Sequence, residues 1–219
     1  MKVLDKGSIE LLAHMGDDNT IVNAARVSYL GESKGEDQDR KLIAYLLKNS
    51  HTSPFEQVEF QFMVKCPVFV VRQWHRHRTW NYSEVSRRYT SEDIEFHFPD
   101  ILRRQSKDNK QVSYVDESFR ELSDKYIERM KINAVNDYSL YIEMIEAGFA
   151  REQAREVLPQ NMYVSYYAKT DLHNLLHFIE LRNHPHAQYE IKVYAQAIEA
   201  LIMPIVPVAY GEWFRLKNS

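Results

Sequence analysis

Glycine is scarce in this sequence: six in 219 residues, and no G-x-G-x-x-G or Walker-type phosphate loop occurs anywhere. A dinucleotide, if bound, is therefore not expected in a Rossmann crevice, whose tight turn depends on those glycines. Cysteine is scarcer still. Cys66 stands alone, which excludes an internal disulfide framework and a cysteine-rich zinc site. Within Phe60-Gln-Phe-Met-Val-Lys-Cys-Pro67 it is expected to be buried and inert, because nothing beside it lowers a thiol pKa. No window approaches a membrane span, and Met1-Lys-Val-Leu-Asp-Lys lacks a signal peptide's apolar core, so a cytoplasmic protein without a membrane partner is expected. A net charge of −3 gives no general attraction to nucleic acid, so cations matter only where they cluster.

They cluster in Arg72-Gln-Trp-His-Arg-His-Arg-Thr-Trp-Asn-Tyr-Ser-Glu-Val-Ser-Arg-Arg-Tyr89, which mixes five arginines with two histidines, two tryptophans and two tyrosines. Guanidinium forks suit phosphate and carboxylate oxygens, and aromatic rings stack on flat ones. A flat anionic ligand such as a nucleotide fits both. With 44% apolar and 27% charged residues, the composition is that of an ordinary soluble protein. No repeat and no linker rich in Gly, Pro or Ser divides the chain, so residues 1–219 are expected to form a single α+β domain.

Strands are expected at residues 9–15, 58–66 and 94–98 from their alternation. Helices are expected after a cap at Asn19 or Thr20, from about Asp37, and from about Asp116 to Gly148. Others are expected over Arg151 and Arg155, after Thr170 or Asp171, and from His186 to about Pro204. The long helix shows Phe119, Leu122, Tyr126, Met130, Tyr138, Ile142 and Ile145 near one stripe. Residues 31–39 and 103–111 look like polar connections. Pro67 suits a helix start. Over residues 68–78 periodicity does not decide between a helix, which groups Arg72, His75 and Arg76, and a strand, which aligns Arg72, Trp74, Arg76 and Arg78.

Three functional classes fit the polar clusters. His75-x-His77, His173-x-x-x-His177 and His184-x-His186 have spacings compatible with a metal-dependent nucleotide enzyme. However, arginines flank the first pair and no H-E-x-x-H occurs. A single-stranded nucleic-acid binder would account for residues 72–89 but not for Arg151, Arg155 and Arg182 on other segments. A mononucleotide pocket with an aromatic cofactor accounts for all of them: Arg88 and Arg155 for a phosphate, Gln73 to orient it, Glu84 for a hydroxyl or ring N–H, and Arg182 for a carbonyl–imide edge.

Arg76-His-Arg78 followed after seven residues by Ser86 resembles the hallmark of the flavin-dependent thymidylate synthase family. Ala24-Ala-Arg-Val-Ser28, His51-Thr-Ser-Pro-Phe-Glu56, Ala150-Arg-Glu-Gln-Ala-Arg-Glu-Val-Leu-Pro159, Leu181-Arg182 and His186-Ala-Gln188 extend the likeness in the same order. The resemblance implies methylation of dUMP to dTMP, with 5,10-methylenetetrahydrofolate as one-carbon donor, FAD as hydride carrier and NADPH as its reductant. It also implies a homotetramer with shared active sites, and neither a metal nor a nucleic-acid partner. For dUMP it implies Gln73, Trp74, His75, Arg76, Glu84, Val85, Ser86, Arg87, Arg88 and Arg155, with Arg182 as the catalytic residue on the uracil ring. For FAD it implies His51, Ser53, Arg76, His77, Arg78, Glu84, Asp171, His173 and His177. Asp171 and His177 stand where some members carry asparagine, and Arg87 where some have glycine.

Overall fold

In a computed structural model of the chain, residues 1–29, 31, 33, 35–91 and 94–218 are described. Five strands form one antiparallel sheet in the order β1-β2-β3-β7-β4. These are β1 (Lys2–Val3), β2 (Gly7–Met15), β3 (Glu59–Pro67), β7 (Tyr163–Asp171) and the edge strand β4 (Asn81–Glu84). β5 (Arg104–Gln105) and β6 (Ser113–Tyr114) make a separate small hairpin. The helices are α1 (Asp18–Arg26), α2 (Glu36–Lys48), α3 (Val68–Trp74), α4 (Arg120–Glu146), α5 (Arg151–Ala154), α6 (Leu172–Arg182), α7 (Tyr189–Ile202) and α8 (Pro207–Lys217). This is the expected α+β architecture: a small antiparallel sheet, several helices and one long helix.

Strand β3 organises the core. Phe60, Phe62, Val64 and Cys66 alternate along it and are fully buried; taking each Phe or Val out of water contributes roughly 1.5–3 kcal/mol. Opposite it, β7 places Ala168, Tyr166 and Val164 against Phe62, Val64 and Cys66. The periodicity of β7 (Val164, Tyr166, Ala168 and Thr170 inward) is present in the sequence, yet no strand is predicted there. Helices α6 and α7 cover the inner face through Leu172, Leu175, Phe178, Ile191, Tyr194 and Ile198. Tyr194 passes so close to β2 that a Cβ on Gly7 would lie 2.0 Å from its hydroxyl, and that hydroxyl donates to the Lys65 carbonyl at 2.6 Å. Only glycine allows this approach.

Several expectations are corrected. Asp17, not Asn19 or Thr20, caps α1, with Thr20 closing a reciprocal capping box. Residues 94–98 form only one bridge, Phe96 to Met162, and no strand. Residues 103–111 lie largely within the β5–β6 hairpin. The expected stripe on α4 is not its buried face, which is Ser123, Ile127, Ala134 and Tyr141. The expected helix from His186 to about Pro204 is α7, which begins at Tyr189, three residues later; α8, which follows Val206, is not among the expected helices. Glu32 and Lys34, within the expected polar connection at 31–39, lie outside the described residues.

Candidate active site

The cationic stretch is neither wholly helix nor wholly strand. β3 ends at Pro67, whose extended backbone (φ −64°, ψ 147°) turns the chain into α3. The first amides of α3 donate to the carbonyls of Met162 and Gln160 at 2.9 and 3.1 Å, which satisfies donors that a helix start leaves open. Helix α3 stops at Trp74, four residues short of the end of the 68–78 stretch. The Tyr82 hydroxyl pins the turn that follows by hydrogen-bonding the carbonyls of Trp74 (3.2 Å) and His77 (3.0 Å). The chain then joins the sheet as β4, and the Val85 amide donates to the Ser165 carbonyl at 2.9 Å.

This path sorts the stretch by burial. Trp74 is fully buried, its ring packed against Trp80, Tyr166, Phe178 and Tyr194. Its side chain belongs to the core and is not presented to a ligand. Arg72, Arg76 and Arg78 are exposed and, with Arg155, form no ion pair among the described residues. A surface arginine is ordinarily neutralised or simply solvated; Arg72 and Arg76 on one cavity, with Arg155 acting on Glu84 at its wall, gather positive charge that attracts an anion. Arg72, His75, Arg76 and Glu84 line a cavity of 570 Å³. The buried Nε2 of His75 has no hydrogen-bond partner among the described residues, and burial pushes its pKa down. The ring is therefore a neutral imidazole with an unused nitrogen.

Glu84, Arg88 and Arg155 come together between β4 and the turn after α5. Arg88 approaches Glu152 at 3.6 Å. Partial burial raises the Glu84 pKa, and the Arg155 charge opposes that rise. Ser86 Oγ accepts from the Arg88 amide at 3.3 Å. Arg87, in contrast, is a buried side chain, and Val85 is exposed.

Arg182 is far from this patch in sequence and lies close to α3. Its Nε donates to His77 Nε2 at 3.0 Å and its Nη2 to the Gln73 carbonyl at 3.3 Å. With Gln73, it lines a cavity of 880 Å³ whose other walls include Arg103, Gln188 and Glu190. That volume falls in the range of small-molecule sites. Arg103, Gln188 and Glu190 had no assigned role in the sequence. Arg103 Nη2 donates to Glu190 at 2.5 Å, Gln188 Nε2 donates to Glu190 at 2.8 Å, and Gln73 Nε2 donates to Gln188. Arg103 escaped notice because its segment looked like a featureless connection. The Gln188-x-Glu190 spacing at a helix start was the available signal.

His51, His173 and His177 gather around a third cavity, of 200 Å³. Ser53 and Arg78 are exposed nearby in the fold but line none of these three cavities. Asp171 has structural work: it caps α6, accepting from the Asn174 amide at 2.9 Å and the Asn174 side chain at 2.6 Å. The histidine pairs do not converge. His75 faces Tyr82, His77 faces Phe178 and His177, and His184 accepts from the His186 amide at 3.2 Å. No group of three or more His, Cys, Asp or Glu among the described residues is arranged to hold a metal ion. No helix among the described residues is long and apolar enough to cross a membrane.

Fold and surface together define an α+β protein that exposes guanidinium groups without ion pairs among the described residues and leaves the His75 Nε2 without a partner, features suited to an anionic ligand. A family profile described as "Thymidylate synthase complementing protein" matches residues 10–208. Flavin-dependent thymidylate synthases of Thermus thermophilus and Wolbachia pipientis are 47% and 50% identical to the chain. Those alignments cover 95% and 96% of this chain and 76% and 74% of the relatives. The solved structure of the UMP/dUMP methylase PolB from Streptomyces cacaoi, bound with 5-Br UMP, superposes with a TM-score of 0.87 at 30% identity, covering 98% of this chain and 96% of that one. The chain belongs to the flavin-dependent thymidylate synthase family.

Proposed function

We propose that the protein methylates dUMP to dTMP, with 5,10-methylenetetrahydrofolate as one-carbon donor, FAD as hydride carrier and NADPH as the reductant of the flavin. The observation that carries this is Arg182, held at two points beside an 880 Å³ cavity in a chain 47–50% identical to synthases of this kind.

Arg182 acts on the uracil ring. A guanidinium never gives up its proton at working pH, so it stabilises a developing imide anion without competing for the N3 proton. Gln73, His75, Arg76, Glu84 and Val85 flank the nucleotide. Ser86, Arg88 and Arg155 take its phosphate, where charge-assisted bonds are strongest. With their side chains buried, Trp74 contributes by fixing the end of α3, and Arg87 by its backbone.

The donor set also fits a flavin dinucleotide. Arg76 and Arg78 form no ion pair among the described residues and suit its diphosphate, while His51, His173 and His177, with Ser53 and Glu84, suit its ring edges. When bound, FAD supplies the hydride; the chain's own residues hold it and keep the uracil in register. A 200 Å³ cavity cannot enclose such a ligand. This supports a homotetramer in which another subunit completes each site. The single cysteine has no part: Cys66 is fully buried, and burial pushes its thiol pKa far up, away from the nucleophilic thiolate.

The purified protein is expected to be yellow, to bleach when NADPH is added without oxygen, and to form dTMP once dUMP and methylenetetrahydrofolate are supplied. A colourless protein that does not take up added FAD would overturn the proposal. Arg182→Ala is expected to leave only a small residual rate of dTMP formation while NADPH still reduces the flavin.

A further inference from the structure

The resemblance groups His77 with the flavin-contacting hallmark, yet the structure gives this side chain a different neighbour. His77 is only 7% exposed, wedged between Phe178 (ring centroids 4.9 Å apart) and His177 (6.0 Å). Its Nε2 meets Arg182 Nε at 3.0 Å. Arginine is a donor with no acceptor, so Nε2 must carry the lone pair and Nδ1 the proton. We infer that His77 is a positioning residue for Arg182, acting as a neutral Nδ1–H tautomer whose Nε2 accepts from the guanidinium Nε. This rests on the proposed role of Arg182 at the uracil ring.

The arrangement has a chemical consequence. With Nε held by His77 and Nη2 by the Gln73 carbonyl at 3.3 Å, the donors left for a ligand are those of Nη1 and the second hydrogen of Nη2. The fork is thus fixed in plane and direction before substrate arrives, at no cost in side-chain ordering on binding. The second holder is itself secured, because the Gln73 side chain is tied to Gln188, and Gln188 to Glu190. A protonated His77 would point an N–H at a guanidinium N–H and release the fork. Burial, then the charges of Arg182 and His177, push the His77 pKa down to about 4, which keeps the acceptor form. These two groups are the charged or titratable neighbours that bear on the ring, one from the end of α6 and one from its middle.

The inference separates from a flavin contact or a purely structural role by substitution. His77→Leu removes the acceptor at similar bulk; His77→Gln restores one through Oε1. For His77→Leu, kcat for dTMP formation is expected to fall about a hundredfold with little change in KM for dUMP, the usual penalty of a misplaced catalytic group. His77→Gln is expected to recover most of that loss. In a double-mutant cycle, His77→Leu added to Arg182→Ala is expected to cost nothing further, since both changes remove one function. Losses that multiply, or a folded His77→Gln as impaired as His77→Leu, would overturn the inference. If His77→Leu fails to fold, His77→Gln decides alone: kcat within about tenfold of wild type supports the inference, and a larger loss overturns it. Nitrogen-15 spectra of histidine-labelled protein provide a readout independent of turnover. They should show the Nδ1–H tautomer at pH 7, and the Nε2–H tautomer would sink the idea even if dTMP is made. Failure of the wild type to make dTMP would instead count against the proposed function and leave the tautomer result standing.

Discussion

At the scale of single residues, placement in the fold decides what each side chain can do. Trp74 and Trp80 sit in the cationic stretch but belong to the core, whereas Arg76 and Arg78, one residue either side of buried His77, face solvent. Spacing alone could not separate them, because the helix ends at Trp74 and the chain turns before β4. The depressed pKa of His77 has a measurable consequence. An unfolded histidine titrates near 6.5, and the folded one near 4. As pH falls through that window, the unfolded chain takes up a proton that the native one refuses. The stability contributed by the neutral His77 is therefore complete above about pH 6.5, is lost progressively on the way down to about 4, and changes no further below. Denaturant midpoints between pH 7 and 4 should fall more steeply for wild type than for His77→Gln, which has nothing to titrate there. Parallel curves would contradict this.

At the scale of elements, what the sequence made legible was whatever buried one face strongly. Alternation points to β2 and β3, and the Leu172, Leu175, Leu176 and Ile179 spacing to α6, whose cap is Asp171 of the two expected candidates, Thr170 and Asp171. β7 was missed although it pairs with β3 along its full length, from Glu59–Asp171 to Pro67–Tyr163. Its inward positions include two tyrosine-sized or small side chains, Tyr166 and Ala168, in place of a uniform apolar row, and its outward Tyr167 blurs the alternation. Residues 94–98 alternate equally well but make a single bridge, Phe96 to Met162, just before β7 begins at Tyr163. Of the candidate site, the residues of 72–88 and of α6 were visible, while Arg103 and the Gln188–Glu190 relay appear only once the hairpin folds over α7. The capping role of Asp171 gives a test at this scale. Asp171→Ala should lower stability by about 1 kcal/mol, the usual worth of an N-cap side chain, whether or not FAD is present. Asp171→Asn should restore most of it. Denaturant unfolding of the apoprotein checks both, and an unchanged midpoint in Asp171→Ala would refute the capping account.

At the scale of the whole molecule, α4 poses the outstanding packing problem. Over 27 residues it buries Ser123, Ile127, Ala134 and Tyr141, which at 3.6 residues per turn fall on one narrow face. Leu122, Tyr126 and Leu140 lie on one flank of that face and Ile132 and Val135 on the other, all of them exposed. The expected stripe differs from the buried face because apolar residues occur off that face as well, interspersed with charged ones. Exposed apolar side chains gathered on a helix suit an association surface. On the proposed homotetramer reading, α4 is the surface that joins the subunits. Sedimentation of the wild-type protein should give a mass near four times the 26.0 kDa of one chain. Placing charge on the far flank, with Ile132→Glu and Val135→Glu together, should shift the protein to smaller species that keep their helical circular dichroism. Those species should lose dTMP formation, because each site would lack what its neighbour supplies. A double variant that stays tetrameric and fully active would show that this flank of α4 is not the assembling surface.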